Sequence, residues 1–144
     1  MIAITTIEDA IIEQLTAEVP DLATCESLGE FLAEDVETLV NRLPAIYVIM
    51  QPATDAPMPG GTTWRRHEFM LLFVVKNVRG GGASRRGAAA RKGVYDVMAD
   101  ARTALNGQTL GLAITGLELL EQAPVEGDNQ TAIFSQRYEC WEEG

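Results

Sequence analysis

Phe69-Met70-Leu71-Leu72-Phe73-Val74-Val75 is apolar at odd and even positions alike. Successive side chains of an extended chain point to opposite sides, so this run needs cover on both faces and belongs in the middle of a sheet. The strand extends upstream through Trp64-Arg65-Arg66-His67-Glu68 to Thr62, and downstream to Asn77 or Val78. At about 3.3 Å per residue it reaches roughly 50 Å, so one end must project from the domain or bend. Gly80-Gly81-Gly82 breaks it, and Ser84 is placed to cap a following helix. There Val94, Val97, Met98, Ala101 and Leu105 form one apolar stripe that packs on the sheet, until Asn106-Gly107 ends the helix.

Moving outward toward the N-terminus, Ala45-Ile46-Tyr47-Val48-Ile49-Met50 is a second apolar strand, closed by Pro52, that should lie beside the long one. Three prolines and two glycines between Pro52 and Gly61 make an exposed loop or an extended hairpin arm. Phe31, Leu32, Val36, Leu39 and Val40 fit a short helix ending before Pro44, and Leu22–Glu26 fits a short edge strand. At the start, Ile7, Ile11, Ile12 and Leu15 share a helical face that ends by Pro20, with Thr6 and Asp9 in the spacing of a loose capping box. Toward the C-terminus, Leu117–Gln122 and Thr131–Trp141 read as strands joined by the turn chemistry of Gly127-Asp128-Asn129. The order implies an α+β domain: a mainly antiparallel sheet of about four to five strands, with helices packed against one face. At 144 residues the chain is read as a single domain, 1–144, with exposed loops at 52–61 and 79–84.

Charge is segregated along the chain. Residues 1–41 hold ten acids and no base, residues 42–105 ten bases and four acids, and residues 106–144 seven acids and one base, for a net −10. The whole surface is therefore unsuited to free nucleic acid, while the basic Lys76–Lys92 run suits an acidic protein surface. That run has no aromatic side chain on which a base could stack. No apolar run is long enough to span a membrane, and no basic residue heads a signal peptide, so the expectation is a soluble cytoplasmic protein.

Catalytic chemistry is sparse. His67 is the sole histidine, and its neighbours Arg65, Arg66 and Glu68 suggest a paired surface residue. Cys25 and Cys140 stand far apart outside any Cys-x-x-Cys pair and read as reduced structural thiols. The glycine loop departs from a phosphate cradle, because Gly87 is followed by Ala88 where a lysine is needed. No catalytic residue, cofactor or metal site is assigned.

Several segments together resemble a family of small tail-assembly proteins from Mu-like phages and prophages that is regarded as similar to tail terminators. They are Ile7-Glu8-Asp9-Ala10-Ile11-Ile12, Leu43-Pro44-Ala45-Ile46-Tyr47-Val48, the long strand, Arg85-Arg86-Gly87, Gly93-Val94-Tyr95 and Leu110-Gly111-Leu112. The resemblance spans nearly the whole chain and matches least over Asp21–Thr38. It implies a non-enzymatic virion assembly protein: a homo-oligomeric ring, expected as a hexamer, that caps the tail tube and offers a head-docking surface. Its partners would be itself, the tail tube and the head connector, with no sequence-specific nucleic acid and no membrane. It would reside in the bacterial cytoplasm during assembly and then in the virion, and DNA would pass an acidic lumen. The alternative is a head-tail connector or neck adaptor. Ring closure needs two different complementary patches per subunit, for which the basic 79–92 and acidic 1–41 segments are candidates. The expected subunit or partner contacts are Trp64, Arg65, Arg66, Arg79, Arg85, Arg86, Arg91 and Lys92.

Overall fold

The apolar run is the inner half of a strand that crosses the entire sheet. The computed structural model describes residues 1–28, 43–76, 93–125 and 131–143. In chain order the elements are α1 (Ile4–Glu18), β1 (Thr24–Ser27), β2 (Ala45–Met50), β3 (Thr54–Pro57), β4 (Thr63–Lys76), α2 (Val94–Leu105), β5 (Glu118–Val125) and β6 (Thr131–Glu143). The sheet runs β1-β2-β4-β6-β5, and β3 pairs with β4 beyond the end of β2. Among the described residues the sheet thus has six strands, more than the four to five expected. It is also mixed, because β1 pairs parallel to β2 while every other pair is antiparallel.

Alternation along β4 divides the sheet into two faces. Phe69, Leu71, Phe73 and Val75 join Ile46 and Val48 under Ile7, Ile11 and Leu15 of α1 and the buried stripe of α2. This is the main core, and both described helices lie on it. Leu72 and Val74 point the other way, into a second cluster with Ala45, Tyr47, Ile49 and Ile133. Both parities are therefore buried, as a run without a polar side requires. β6 pairs with β4 from Lys76↔Thr131 to Trp64↔Glu143, without a register shift along its length.

The first helix begins earlier than its capping pattern indicates. Ala3 is the N-cap and Thr6 lies inside, its N–H bonded to the Ala3 carbonyl at 3.0 Å. A tertiary bond supplies the reason: Glu142 accepts from the Ile2 N–H at 3.0 Å and fixes the approach to the helix. The expected Thr6 and Asp9 capping box is therefore not realised. The expected Ser84 cap, the 31–40 helix, the Gly127-Asp128-Asn129 turn and the 79–84 loop lie outside the described residues.

After α2 the chain makes a close backbone crossing. Gly107 adopts φ 81° and donates to the Leu117 carbonyl at 2.7 Å. Gly116 passes so near that a Cβ on it would stand 2.8 Å from the Gly107 carbonyl oxygen. Only glycine fits there without movement. The crossing delivers β5 to the edge of the sheet, where a register shift between Leu119 and Glu121, the acids Glu118 and Glu121, and Pro124 all oppose pairing with another strand.

Candidate interaction surface

Residues 52–61 carry β3 and the turn that returns the chain to β4. Pro52 has no N–H to donate, so the ladder breaks after the Gln51 N–H bonds to the Glu68 carbonyl at 2.9 Å, and it resumes at Thr54↔Arg66. Beyond that break β3 and β4 form a two-stranded arm closed by Met58 N–H to the Thr62 carbonyl at 2.7 Å. Gly60 and Gly61 supply positive φ at its tip, and Met58 is 45% exposed there. The gap at the break is a cleft of about 380 Å³ lined by Gln51, Pro52, Thr54, Glu68, Met70 and Arg137.

At this end of the sheet the face opposite the helices is ionic. Arg66 reaches Glu139 at 2.6 Å and Glu68 at 3.2 Å. Arg137 reaches Glu68 at 2.8 Å and Glu121 at 2.7 Å. The bond to Glu139 raises the Arg66 pKa above its ordinary value; burial opposes this, and the charges of Glu139 and Glu68 reinforce it. The lattice spans β4, β6 and β5 and holds both guanidinium groups in fixed directions. Trp64 and Trp141, both half-buried, flank it on the same face by strand alternation.

The structure separates the expected contact residues. Trp64 and Arg66 share the ionic face, whereas Arg65 lies on the other side and bonds Asp55 of the arm at 3.1 Å. Arg79, Arg85, Arg86, Arg91 and Lys92 lie outside the described residues. Sequence reading missed Glu68, Glu121, Arg137 and Glu139. The signal was present in β6, where Arg137, Glu139 and Trp141 occupy one parity and Tyr138 and Cys140 the other.

His67 is buried rather than at the surface, being 1% exposed. Its odd position places it with Phe69 and Leu71, away from its sequence neighbours Arg66 and Glu68. Its Nε2 lies 2.9 Å from Glu142 Oε1, while the other carboxylate oxygen takes the Ile2 N–H. Burial pushes the Glu142 pKa up, but the His67 bond, the Ile2 bond and the charges of His67 and the Met1 ammonium outweigh it and hold the pKa below 4.5. Cys140 stands directly opposite His67 across the ladder, so a thiol, an imidazole and a carboxylate meet with the composition of a nucleophilic triad. The chemistry does not follow from that composition. Burial, then the charges of Glu142 and Glu139, push the Cys140 thiol to about 12, and His67 Nδ1 has no hydrogen-bond partner. Among the described residues no hydrogen bond joins the Cys140 thiol to the imidazole and burial keeps the thiol protonated, while the bonds of Glu142 tie the start of α1 to His67 of the sheet.

Among the described residues no group of three or more His, Cys, Asp or Glu side chains is arranged to hold a metal ion. No helix among them is long and apolar enough to cross a membrane.

Comparison with known proteins finds similarity to a family model and to solved structures. Residues 3–141 match the family model described as Bacteriophage Mu, Gp37. A chain of the virion of a native gene transfer agent particle has the same fold, with a TM-score of 0.58 over 100% of both chains at 18% identity. No curated protein sequence matches.

Proposed function

The chain belongs to the bacteriophage Mu Gp37 family, and from that membership we propose that it is a non-enzymatic structural protein of a phage-like virion, a tail terminator. Its copies close into a ring, hexameric in the simplest form, on the head-proximal end of the tail tube. The ring stops further tube growth and presents the surface on which the head connector docks. The family match along nearly the whole chain carries this reading. Three features support it: the shared fold with a chain of a gene transfer agent virion, the exposed β3–β4 arm, and a charge distribution that provides unlike patches for a head-to-tail contact. The basic segment provides one patch through Arg79, Arg85, Arg86, Arg91 and Lys92, and Trp64, Arg65 and Arg66 lie at the root of the arm that meets the neighbour or the tube.

The test is a tube-capping assay. Purified protein added to growing tail tubes should arrest their length and appear by electron microscopy as a ring at one end. Arg85→Glu with Arg86→Glu should abolish ring formation while leaving thermal unfolding of the subunit unchanged. Binding to heads with no effect on tubes would instead identify a neck adaptor.

A further inference from the structure

The helix-free face at the Trp64 end of the sheet is unbalanced in charge. Arg66 and Arg137 stand there among Glu68, Glu118, Glu121, Glu139 and Glu143, an excess of carboxylates. Glu118 directly faces Glu139 across β5 and β6, a like-charge pairing that disfavours the ladder. Arg66 compensates Glu139, but among the described residues Glu118 has no cationic partner. The same face offers Trp64 and Trp141 and the cleft at the Pro52 break. Carboxylates held beside indole rings select a guanidinium, which bonds the former through its planar fork and stacks on the latter. A free ammonium or an apolar helix would satisfy only half of this surface.

The chain itself carries the complementary segment. Residues 77–92 contain Arg79, Arg85, Arg86, Arg91 and Lys92 and no acid. The segment is anchored between Lys76, the last residue of β4, and Gly93, the N-cap of α2. Lys76 pairs with Thr131 at one end of the β4–β6 ladder, and Trp64 pairs with Glu143 at the other. At about 3.3 Å per residue these ends lie roughly 40 Å apart. A cationic segment rooted at one end of a strand and an acidic aromatic face at the other complement each other between copies, in the heterologous sense that builds a ring.

Resting on the ring reading, we propose that the arginines of the 77–92 segment of one copy dock on the helix-free face of the next, between Glu118, Glu143 and the two tryptophans. Contacts of this kind fix the orientation of neighbours as well as their affinity.

Trp64 and Trp141 are the only tryptophans in the chain, and the 77–92 sequence has none, so the face reports its own occupancy. The full-length protein, at a concentration where sedimentation velocity shows it dissociated, is titrated with a synthetic 77–92 peptide while tryptophan emission is followed, and its mass is then measured at higher concentration. The peptide should shift the emission and bind about tenfold more weakly on going from about 0.05 M to about 0.3 M salt. Glu118→Lys with Glu143→Lys should abolish the shift and reduce self-association, while unfolding stays the same or improves because the Glu118–Glu139 repulsion is gone. Adding Arg85→Glu and Arg86→Glu to that variant should restore association. A ring that forms equally well from the Glu118→Lys, Glu143→Lys protein overturns the docking face and leaves the ring reading standing. A monomer that binds the peptide supports the face and removes the self-assembled ring. Emission unmoved by peptide, or equal binding by the variant, overturns the proposal outright.

Discussion

Replacing Glu142 with leucine tests the tether that joins α1 to the sheet. Leucine has similar volume, so little cavity is created, and the loss is confined to hydrogen bonding. In the parent, one carboxylate oxygen serves His67 Nε2 at 2.9 Å and the other the Ile2 N–H at 3.0 Å. Among the described residues His67 makes no other hydrogen bond and its Nδ1 has no partner, so the variant leaves a buried imidazole wholly unsatisfied. A buried donor without an acceptor costs about 1–3 kcal/mol, and the partly exposed Ile2 N–H falls at the lower end, giving roughly 3 kcal/mol in total. For a domain of this size that corresponds to a fall in Tm of about 10 °C. Urea unfolding followed by circular dichroism, at a concentration where the protein is dissociated, measures it. His67→Leu alone should also destabilise, and the double variant should lose about 2 kcal/mol less than the sum, because no polar group is then stranded. The pH dependence carries a second check. A carboxyl with a depressed folded pKa contributes stability that is present above its ordinary value of 4.5 and is lost as pH falls through the folded value. The gap between parent and Glu142→Leu should therefore be full at neutral pH and close in acid. A single variant within about 0.5 kcal/mol of the parent, or strictly additive singles, would refute the tether.

Gly116→Ala should destabilise by about 1–3 kcal/mol in urea unfolding, because its Cβ meets backbone at Gly107 that cannot swing aside. Gly107→Ala, strained only by its φ of 81° and with open space around it, should cost about 1 kcal/mol. Gln136 donates to the Met98 carbonyl and to Gln122 and accepts from the Tyr138 hydroxyl, so Gln136→Leu should cost about 3 kcal/mol by chemical unfolding, against about 1 kcal/mol for Tyr138→Phe. In native protein Cys25, partly exposed, should react with a thiol reagent well before Cys140, whose burial raises its pKa to about 12; equal rates by mass spectrometry would contradict the sealed site.

The elements legible in the sequence are those whose apolar spacing has one solution. The Phe69–Val75 run can only be a strand covered on both faces, and the stripe from Val94 to Leu105 can only be a helix with one buried side. Tertiary partners decided the rest. β1 is a four-residue strand with one buried side chain, Thr24, and nothing local marks it as parallel to β2. The start of α1 moved because Glu142, at the far end of the chain, takes the Ile2 N–H. The ionic face was hidden for a related reason. Arg65 and Arg66 look like one basic patch in sequence, yet alternation sends them to opposite faces, and the acids that bind them come from β3 and β6. His67 could have been placed by extending the odd parity of Phe69 and Leu71, but its charged neighbours gave the stronger and misleading signal.

The two faces of β4 differ in what they carry as the strand leaves the core. Beneath the helices, the odd positions from His67 to Val75 are sealed into the core, and the stacked rings of Phe69 and Tyr138, 5.2 Å apart, lock β4 to β6 there. On the other face, the even positions change from Leu72 and Val74 to Glu68 and Arg66 as the strand leaves the core. The same strand then becomes one side of the arm, so the arm is a continuation of the core ladder rather than a loop hung from it. A force on its tip is transmitted along hydrogen-bonded backbone to Phe69 and beyond, with the Arg66 and Arg137 lattice bracing the passage. The division lets the outlying charges of the helix-free face, Glu118 and Glu143, be exchanged without disturbing the apolar face that folds the domain. Substitutions at Glu118, Glu143 or the arm tip should therefore separate from folding, whereas those at His67 or Glu142 should not.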